Sequence, residues 1–371
     1  MKFNCNQNTL SKALNTVSKA VTTRTTIPVL KGFLLKATSD NKLTLSSSDL
    51  DFSIETVIDV DTESEGSVVV NAKLFNEIIK KLVNERITVE LKDNFMVNLK
   101  TPSSEFSIVS QNADDFPNIP EIDNCLSELL FDKQLLKNMI KQTQFCAGID
   151  DTKGIIVGLL MELTEESFNM VAIDGYRMAV RRENVKNDES KNIIIDGRIL
   201  NEVSKILSET EDDEEVKLLL GEKYSMMILE NTRIVMRLLE GEFIDYKSVL
   251  PKESSTNVII NRNLLIDSIE RASLLAREGR NNLIRIKINE NLMTITSNSE
   301  EGKVKEEIIM EKEGDNLEIG FNSKYILAAL KAVDDEEIKI ELTSPIKPCL
   351  IKPVKGENYE YLILPVRISA N

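Results

Sequence analysis

A chain of 371 residues with 42% apolar side chains fits two or three folded domains and is too apolar for a disordered tail. Its formal charge of −15 argues, as a bulk figure, against a nucleic-acid binder, and the lack of any His removes Ser-His-Asp, Cys-His and all imidazole acid–base chemistry. The four cysteines (Cys5, Cys125, Cys146, Cys349) stand singly, without metal or redox spacing, and read as buried free thiols of a reducing cytosol.

Met1–Asn8 lacks the apolar core of a signal peptide, and Ile155–Met161, among the longest apolar runs, is far short of a membrane span. A soluble, cytoplasmic protein without a membrane partner is expected. Neither phosphate-cradling glycine motif occurs, and the carboxylates gather in runs such as Glu209–Glu215, the mark of solvated loops, so no cofactor, metal or catalytic group is expected.

In chain order, Leu10, Ala13, Leu14 and Val17 form the stripe of an amphipathic helix over 10–21, with Lys12 and Lys19 opposite. The alternating Leu43-Thr44-Leu45 then leads into Ser46–Leu50, and a second helix occupies 73–82. Ile87–Lys92 alternates as a half-buried strand. The pattern then restarts. A helix over 133–145 carries Leu135, Met139 and Ile140 inward and Lys133, Lys137 and Lys141 outward. Val171–Val180 reads as two strands about a turn at Asp174-Gly175, and a helix covers 198–207. The third round has a helix over 262–277, Met293–Ile295 leading into Thr296–Glu300, a helix over 324–331 and a strand over 338–343.

Lys73, Arg198 and Lys324 open the second helix of each round, and Lys80, Lys205 and Lys331 lie two turns on, on the same face. The middle round alone places Tyr176, Arg177 and Met178 after its turn, so one copy is differentiated. Proline-bearing joints at Asn118–Asp123 and Leu250–Ser255 divide the chain into 1–122, 123–251 and 252–371. An α+β fold follows, of three similar domains with mostly antiparallel sheets. Equal units joined at equal angles bend into an arc, which closes into a ring when copies join head to tail. The six helical stretches are each net positive within an acidic chain, an organised field suited to phosphate contacts that read no bases.

Nine segments carry a resemblance over essentially the whole length: Met1-Lys2-Phe3, Thr26–Leu30, Ser48-Asp49-Leu50, Asp115-Phe116-Pro117, Val171–Val180, Glu240–Phe243 with Asp245-Tyr246, Val249-Leu250-Pro251, Glu318–Asn322 and Leu364–Arg367. In their order and spacing the chain resembles the β subunits of bacterial DNA polymerase III, the sliding clamps. The resemblance implies a DNA clamp fold, each domain with two inward helices backed by antiparallel sheets, closing as a head-to-tail homodimeric ring. It implies a non-catalytic processivity factor that encircles double-stranded DNA. The polymerase III α subunit, the clamp loader and repair proteins would dock by short peptides in a groove between the second and third domains.

Carried over by position, the resemblance implies a groove of Ile156, Ile173, Gly175, Tyr176, Arg177, Met178, Ile244, Val249, Tyr325, Ile346, Leu362, Leu364 and Val366. Apolar residues from four separated stretches suit Leu and Phe anchors, with Arg177 left for polar contacts at the rim; taken singly, Ile173, Met178, Leu362 and Leu364 read rather as ordinary core. DNA contacts would fall to Arg24, Lys73, Lys80, Lys153, Arg198, Lys205 and Lys324. The subunit joint would pair Phe106 and Ile108 with Leu274 and Leu275, oriented by Glu300, Glu301 and Lys303. Ile244 stands where a proline is frequent in the family and Ser248 where an arginine occurs. In Gly148–Gly154 only Lys153 suits DNA. The rivals are a scaffold that never encloses DNA, and a metal-dependent hydrolase or transferase using Asp174 and Arg177, which lacks a ligand cluster.

Overall fold

Six times among the described residues the chain runs from a strand through an Asn or Asp directly into a helix. Asn6, Asn71, Asp132, Asp196, Asn261 and Asn322 end the strands Lys2–Asn6, Gly66–Asn71, Ser127–Asp132, Lys191–Asp196, Thr256–Asn261 and Leu317–Asn322. Each side-chain oxygen accepts a backbone N–H of the first turn that follows, at 2.8, 3.0, 2.7, 2.6, 3.0 and 3.0 Å respectively. These bonds satisfy donors that a helix start otherwise leaves open. The helices are α1 (Gln7–Val17), α2 (Ala72–Lys81), α3 (Lys133–Thr143), α4 (Gly197–Glu209), α6 (Arg262–Ala276) and α7 (Ser323–Ala332), with a single turn, α5, at Tyr246–Val249.

This computed structural model describes residues 1–83, 85–122, 125–186, 190–209 and 215–368; the side chains of 151–153 and 280 lie outside that set. Most of the acidic run Glu209–Glu215, the residue Asp123 at the first joint and the side chain of Lys153 therefore fall outside it.

Two compact units form. One comprises Met1–Leu135 with Lys205–Leu238, the other Leu136–Ser204 with Leu239–Asn371. The first holds an antiparallel sheet of thirteen strands among the described residues, running from Ser127–Asp132 at one edge to Asp61–Ser64 at the other. Near its middle, Gly66–Asn71 joins Glu105–Gln111 through only Val69 to Gln111 and Val70 to Ser110. Its α1 buries Leu10, Ala13, Leu14 and Val17, and α2 buries Phe75, Ile78 and Ile79. The second unit holds a nine-stranded and a four-stranded sheet among the described residues, with α6 and α7 packed on them. Its pivotal pairing sets Arg177–Asn184 beside Tyr359–Ile363. In the first unit, Thr232–Arg237 likewise pairs with Phe52–Asp59. Both units thus contain strands from either side of a sequence joint.

The helices stand where the periodicity puts them, with α1 starting earlier than 10 and ending at Val17 in a 3-10 turn, Ser18–Ala20. Three expectations are corrected. Lys133, read as outward, is fully buried, because the residue after the cap turns inward there; Gln7, Ala72, Gly197 and Ser323 do the same, while Arg262 is half-buried. Leu136, rather than Leu135, completes the stripe of α3 with Met139 and Ile140. Cys125 is exposed, while the other three cysteines are buried.

Candidate functional site

The differentiated turn is built on Asp174. Its Oδ1 accepts the N–H of Tyr176 at 2.9 Å and of Arg177 at 3.0 Å, and its own N–H donates to the Arg177 carbonyl at 3.2 Å. Gly175 takes φ +90°, a value that favours glycine, although open space surrounds it. Asp49 builds the same turn in the first repeat, accepting from Asp51 and Phe52 at 3.1 and 2.7 Å, with Leu50 at φ +82° in the glycine's place. In both, the side chain imitates a backbone turn. Asp174 thereby has a structural role, and among the described residues no group of three His, Cys, Asp or Glu side chains could hold a metal.

After the turn, Arg177–Asn184 lies against Tyr359–Ile363 with Met178 opposite Leu362. These two are buried in one cluster with Leu160, Val171, Val180, Ile194, Tyr246 and Leu350. Ile155, Ile173, Leu239, Phe243 and Leu250 pack on it, half-buried. Above this floor stand exposed apolar side chains: Tyr176 at 56%, Ile244 and Val249 at 43% each, and Leu364 at 38%. Leu364 is tied in by its N–H to the Tyr176 carbonyl at 2.9 Å, and Val366 by its N–H to the Gly320 carbonyl at 2.8 Å. A Cβ at Gly320 would lie 2.7 Å from the Val366 carbonyl oxygen, so only glycine lets the segment after the strand Tyr359–Ile363 pass this close. Ile156 is half-buried beside Ile155, and Ile346 stands 76% exposed on the loop before Cys349–Pro353.

Arg177, expected to serve polar contacts at the rim, is itself held in place. Its Nε is 3.0 Å from Asp174 Oδ2, and its guanidinium sits 4.7 Å from the Tyr325 ring centroid and 5.5 Å from that of Phe145. Two such cation–π contacts restrain a side chain already paired with a carboxylate. Tyr325 in turn stacks on Tyr176 at 6.0 Å. Burial raises the Tyr325 phenol above its ordinary value, with the Asp174 charge adding to the effect and Arg177 opposing it. Sequence reading missed Phe145, Phe243, Leu250, Gly320 and Leu350 as members. Phe243, Leu250 and Gly320 lay within segments that carried the resemblance; Phe145 and Leu350 gave no signal.

Of the proposed DNA contacts, Arg24, Lys73, Lys80, Arg198, Lys205 and Lys324 are all exposed. Arg24, Lys73 and Lys324 have no charged partner among the described residues, whereas Lys80 Nζ donates to Asn15 Oδ1 at 3.0 Å and Arg198 lies 3.7 Å from Asp196. The helix field is weaker than a count of charges implies: Lys19 pairs with Glu209 and Lys331 with Glu270.

For the subunit joint, the strands that carry the expected residues, or lie beside them, have open edges among the described residues. Glu105–Gln111 pairs with Met96–Lys100 and, on its other side, only through its last two residues. Gly302–Ile309 pairs with Leu292–Ser299 alone among the described residues. Phe106, Leu274, Glu300, Glu301 and Lys303 are exposed, Leu275 is half-buried, and Ile108 is buried in its own unit while Val109 faces outward.

Paired helices on antiparallel sheets, with a buried apolar cluster to which the strand Tyr359–Ile363 contributes, have the arrangement of a DNA clamp. The crystal structure of the DNA polymerase sliding clamp from Bacillus subtilis has a TM-score of 0.94 at 35% identity and full coverage of both chains. A putative DNA polymerase III beta subunit from Eubacterium rectale has 0.94 at 34% identity, covering 99% of this chain and 100% of that one. A Pseudomonas aeruginosa sliding clamp bound to griselimycin has 0.93 at 26%, with the same coverage. The chain belongs to the DNA polymerase III beta subunit family, the beta sliding clamps. Models of that family's N-terminal, central and C-terminal domains match residues 1–120, 131–245 and 247–367. The Bacillus subtilis beta sliding clamp is 35% identical over 380 residues, covering 99% of this chain and all of that protein.

Proposed function

We propose that the chain is a non-catalytic processivity factor: two copies join head to tail around duplex DNA and tether the polymerase and other partners through the groove over Met178 and Leu362. The observation that carries this is a floor made by strands from distant parts of the chain, overhung by exposed Tyr176, Ile244, Val249 and Leu364. Side chains of that kind, left in water above an already complete core, suit Leu and Phe anchors of a peptide. The exposed Arg24, Lys73 and Lys324 are fitted to phosphates, and the open edges Glu105–Gln111 and Gly302–Ile309 to strand pairing between subunits. No helix among the described residues is long and apolar enough to cross a membrane, and buried unpaired thiols at Cys5, Cys146 and Cys349 suit the cytoplasm.

The test pairs two measurements. Leu364→Ala weakens binding of a labelled peptide with Leu and Phe anchors about tenfold while the dimer persists in native mass measurement. Protein loaded on nicked circular DNA stays bound through moderate salt and leaves when the circle is cut. Unchanged peptide affinity rejects the groove, and retention on linear DNA with free ends rejects encirclement.

A further inference from the structure

One carboxylate in the middle of the second unit has no part in the groove surface, yet sits directly behind it. Glu162 lies on Gly158–Leu163, a strand whose other five residues are buried. Its side chain is only 14% exposed. Oε2 accepts the Tyr246 hydroxyl at 2.7 Å and the Asn169 amide at 2.8 Å, and Oε1 receives Lys247 Nζ at 2.9 Å. Burial works against the charge, but the bonds from Lys247, Tyr246 and Asn169 outweigh it and hold the carboxyl below its ordinary range.

Two of those three donors belong to α5, a single turn with no side-chain cap, flanked by Ile244 and ended by Val249. A turn so short does not hold itself in place. Tyr246 is buried in the cluster that contains Met178 and Leu362, so the same residue that grips Glu162 also abuts the groove floor.

We propose that Glu162 is a positioning residue for peptide binding: through Tyr246 and Lys247 it holds the Phe243–Leu250 wall, with Ile244 and Val249, at the distance from the Met178–Leu362 floor that an apolar-anchored peptide requires. This rests on the groove reading above. A wall released from its anchor still folds, since Phe243 and Leu250 keep their apolar contacts, but it samples more positions and presents Ile244 and Val249 less often in the competent one.

The experiment uses the full chain and a labelled peptide with Leu and Phe anchors. Glu162→Gln keeps the shape and removes the charge; it weakens binding about fivefold, with the dimer intact. Lys247→Met removes an exposed partner and weakens it about twofold, and the double variant binds no worse than Glu162→Gln alone. Wild-type affinity declines as pH falls through the depressed titration of Glu162, whereas the Glu162→Gln profile is flat over that window. The groups facing Glu162 are Lys247 and Tyr246 from α5 and Asn169 from the adjoining strand; Tyr246 in turn feels Asp245 and Arg182, the latter paired with Glu360 at 2.8 Å, and Asp245→Asn and Glu360→Gln, expected to keep the wild-type profile, separate those carboxyls. Leu364→Ala serves as control. If it loses affinity while Glu162→Gln and Lys247→Met bind as wild type with unaltered pH profiles, the positioning role is overturned and the groove stands. If Leu364→Ala also binds as wild type, the groove reading falls and takes this inference with it.

Discussion

Asp49 and Asp174 make the same turn, yet Leu50 occupies in one the left-handed position that Gly175 fills in the other. A branched side chain there costs about 1–2 kcal/mol, against about 0.5–1 kcal/mol for the extra freedom a glycine loses on folding. Leu50→Gly is therefore expected to raise stability by about 0.5 kcal/mol, read from the denaturant midpoint at an unchanged slope; a clear loss would show that the half-exposed Leu50 makes contacts worth more than the strain. At this scale the sequence was readable where chemistry is local. The Asp-containing turns and their recurrence were plain in the chain. That Arg177 lies against the rings of Tyr325 and Phe145 was not, because those rings come from remote stretches and no spacing rule links them. The same holds for Glu162, whose partners lie on a strand and a turn with no periodic relation to it.

The helices follow a single recipe, a strand ending in Asn or Asp and then an amphipathic stripe, and the caps are where that recipe is testable. Asn71→Ala and Asn322→Ala should each cost about 1 kcal/mol, with Asn→Gly costing less at both sites, measured by equilibrium unfolding. Helix positions were legible because six apolar stripes repeat. The inward turn of the residue after the cap was not, which is why Lys133 was placed on the wrong side. Strand partners were legible least. Nothing local announces that Tyr359–Ile363 belongs beside Arg177–Asn184, since pairing is fixed by tertiary packing. That sheet also carries a ladder of charges across four strands: Arg182 to Glu360 at 2.8 Å, Glu360 to Lys352 at 3.0 Å, Lys352 to Glu341 at 2.9 Å and Glu341 to Lys339 at 2.7 Å. Burial raises the Glu341 carboxyl, but Lys339 and Lys352 lower it further, for a net depression. Its contribution is complete above the ordinary carboxylate range and disappears as pH falls through the depressed value. Glu341→Gln should therefore flatten the acid limb of the stability profile, and an unaltered limb would remove the ladder from the list of acid-sensitive elements.

Over the whole molecule, a net charge of −15 coexists with exposed Arg24, Lys73 and Lys324. Open-ended contact with DNA should be weak and fall steeply with salt, while retention on closed circles depends much less on it, because enclosure does not require affinity. Charge reversal of Lys73 and Lys324 together should shorten the residence of loaded protein on circles only modestly but abolish any gel shift on short linear duplex. The pairing of Tyr359–Ile363 with Arg177–Asn184 also bears on the order of synthesis. A ribosome makes the turn at Asp174 long before it makes Leu362 and Leu364, so the surface proposed for peptide docking cannot assemble on a nascent chain until the strand Tyr359–Ile363 has emerged. Polypeptides broken off earlier would carry half of that proposed surface and would not draw polymerases away from finished clamps.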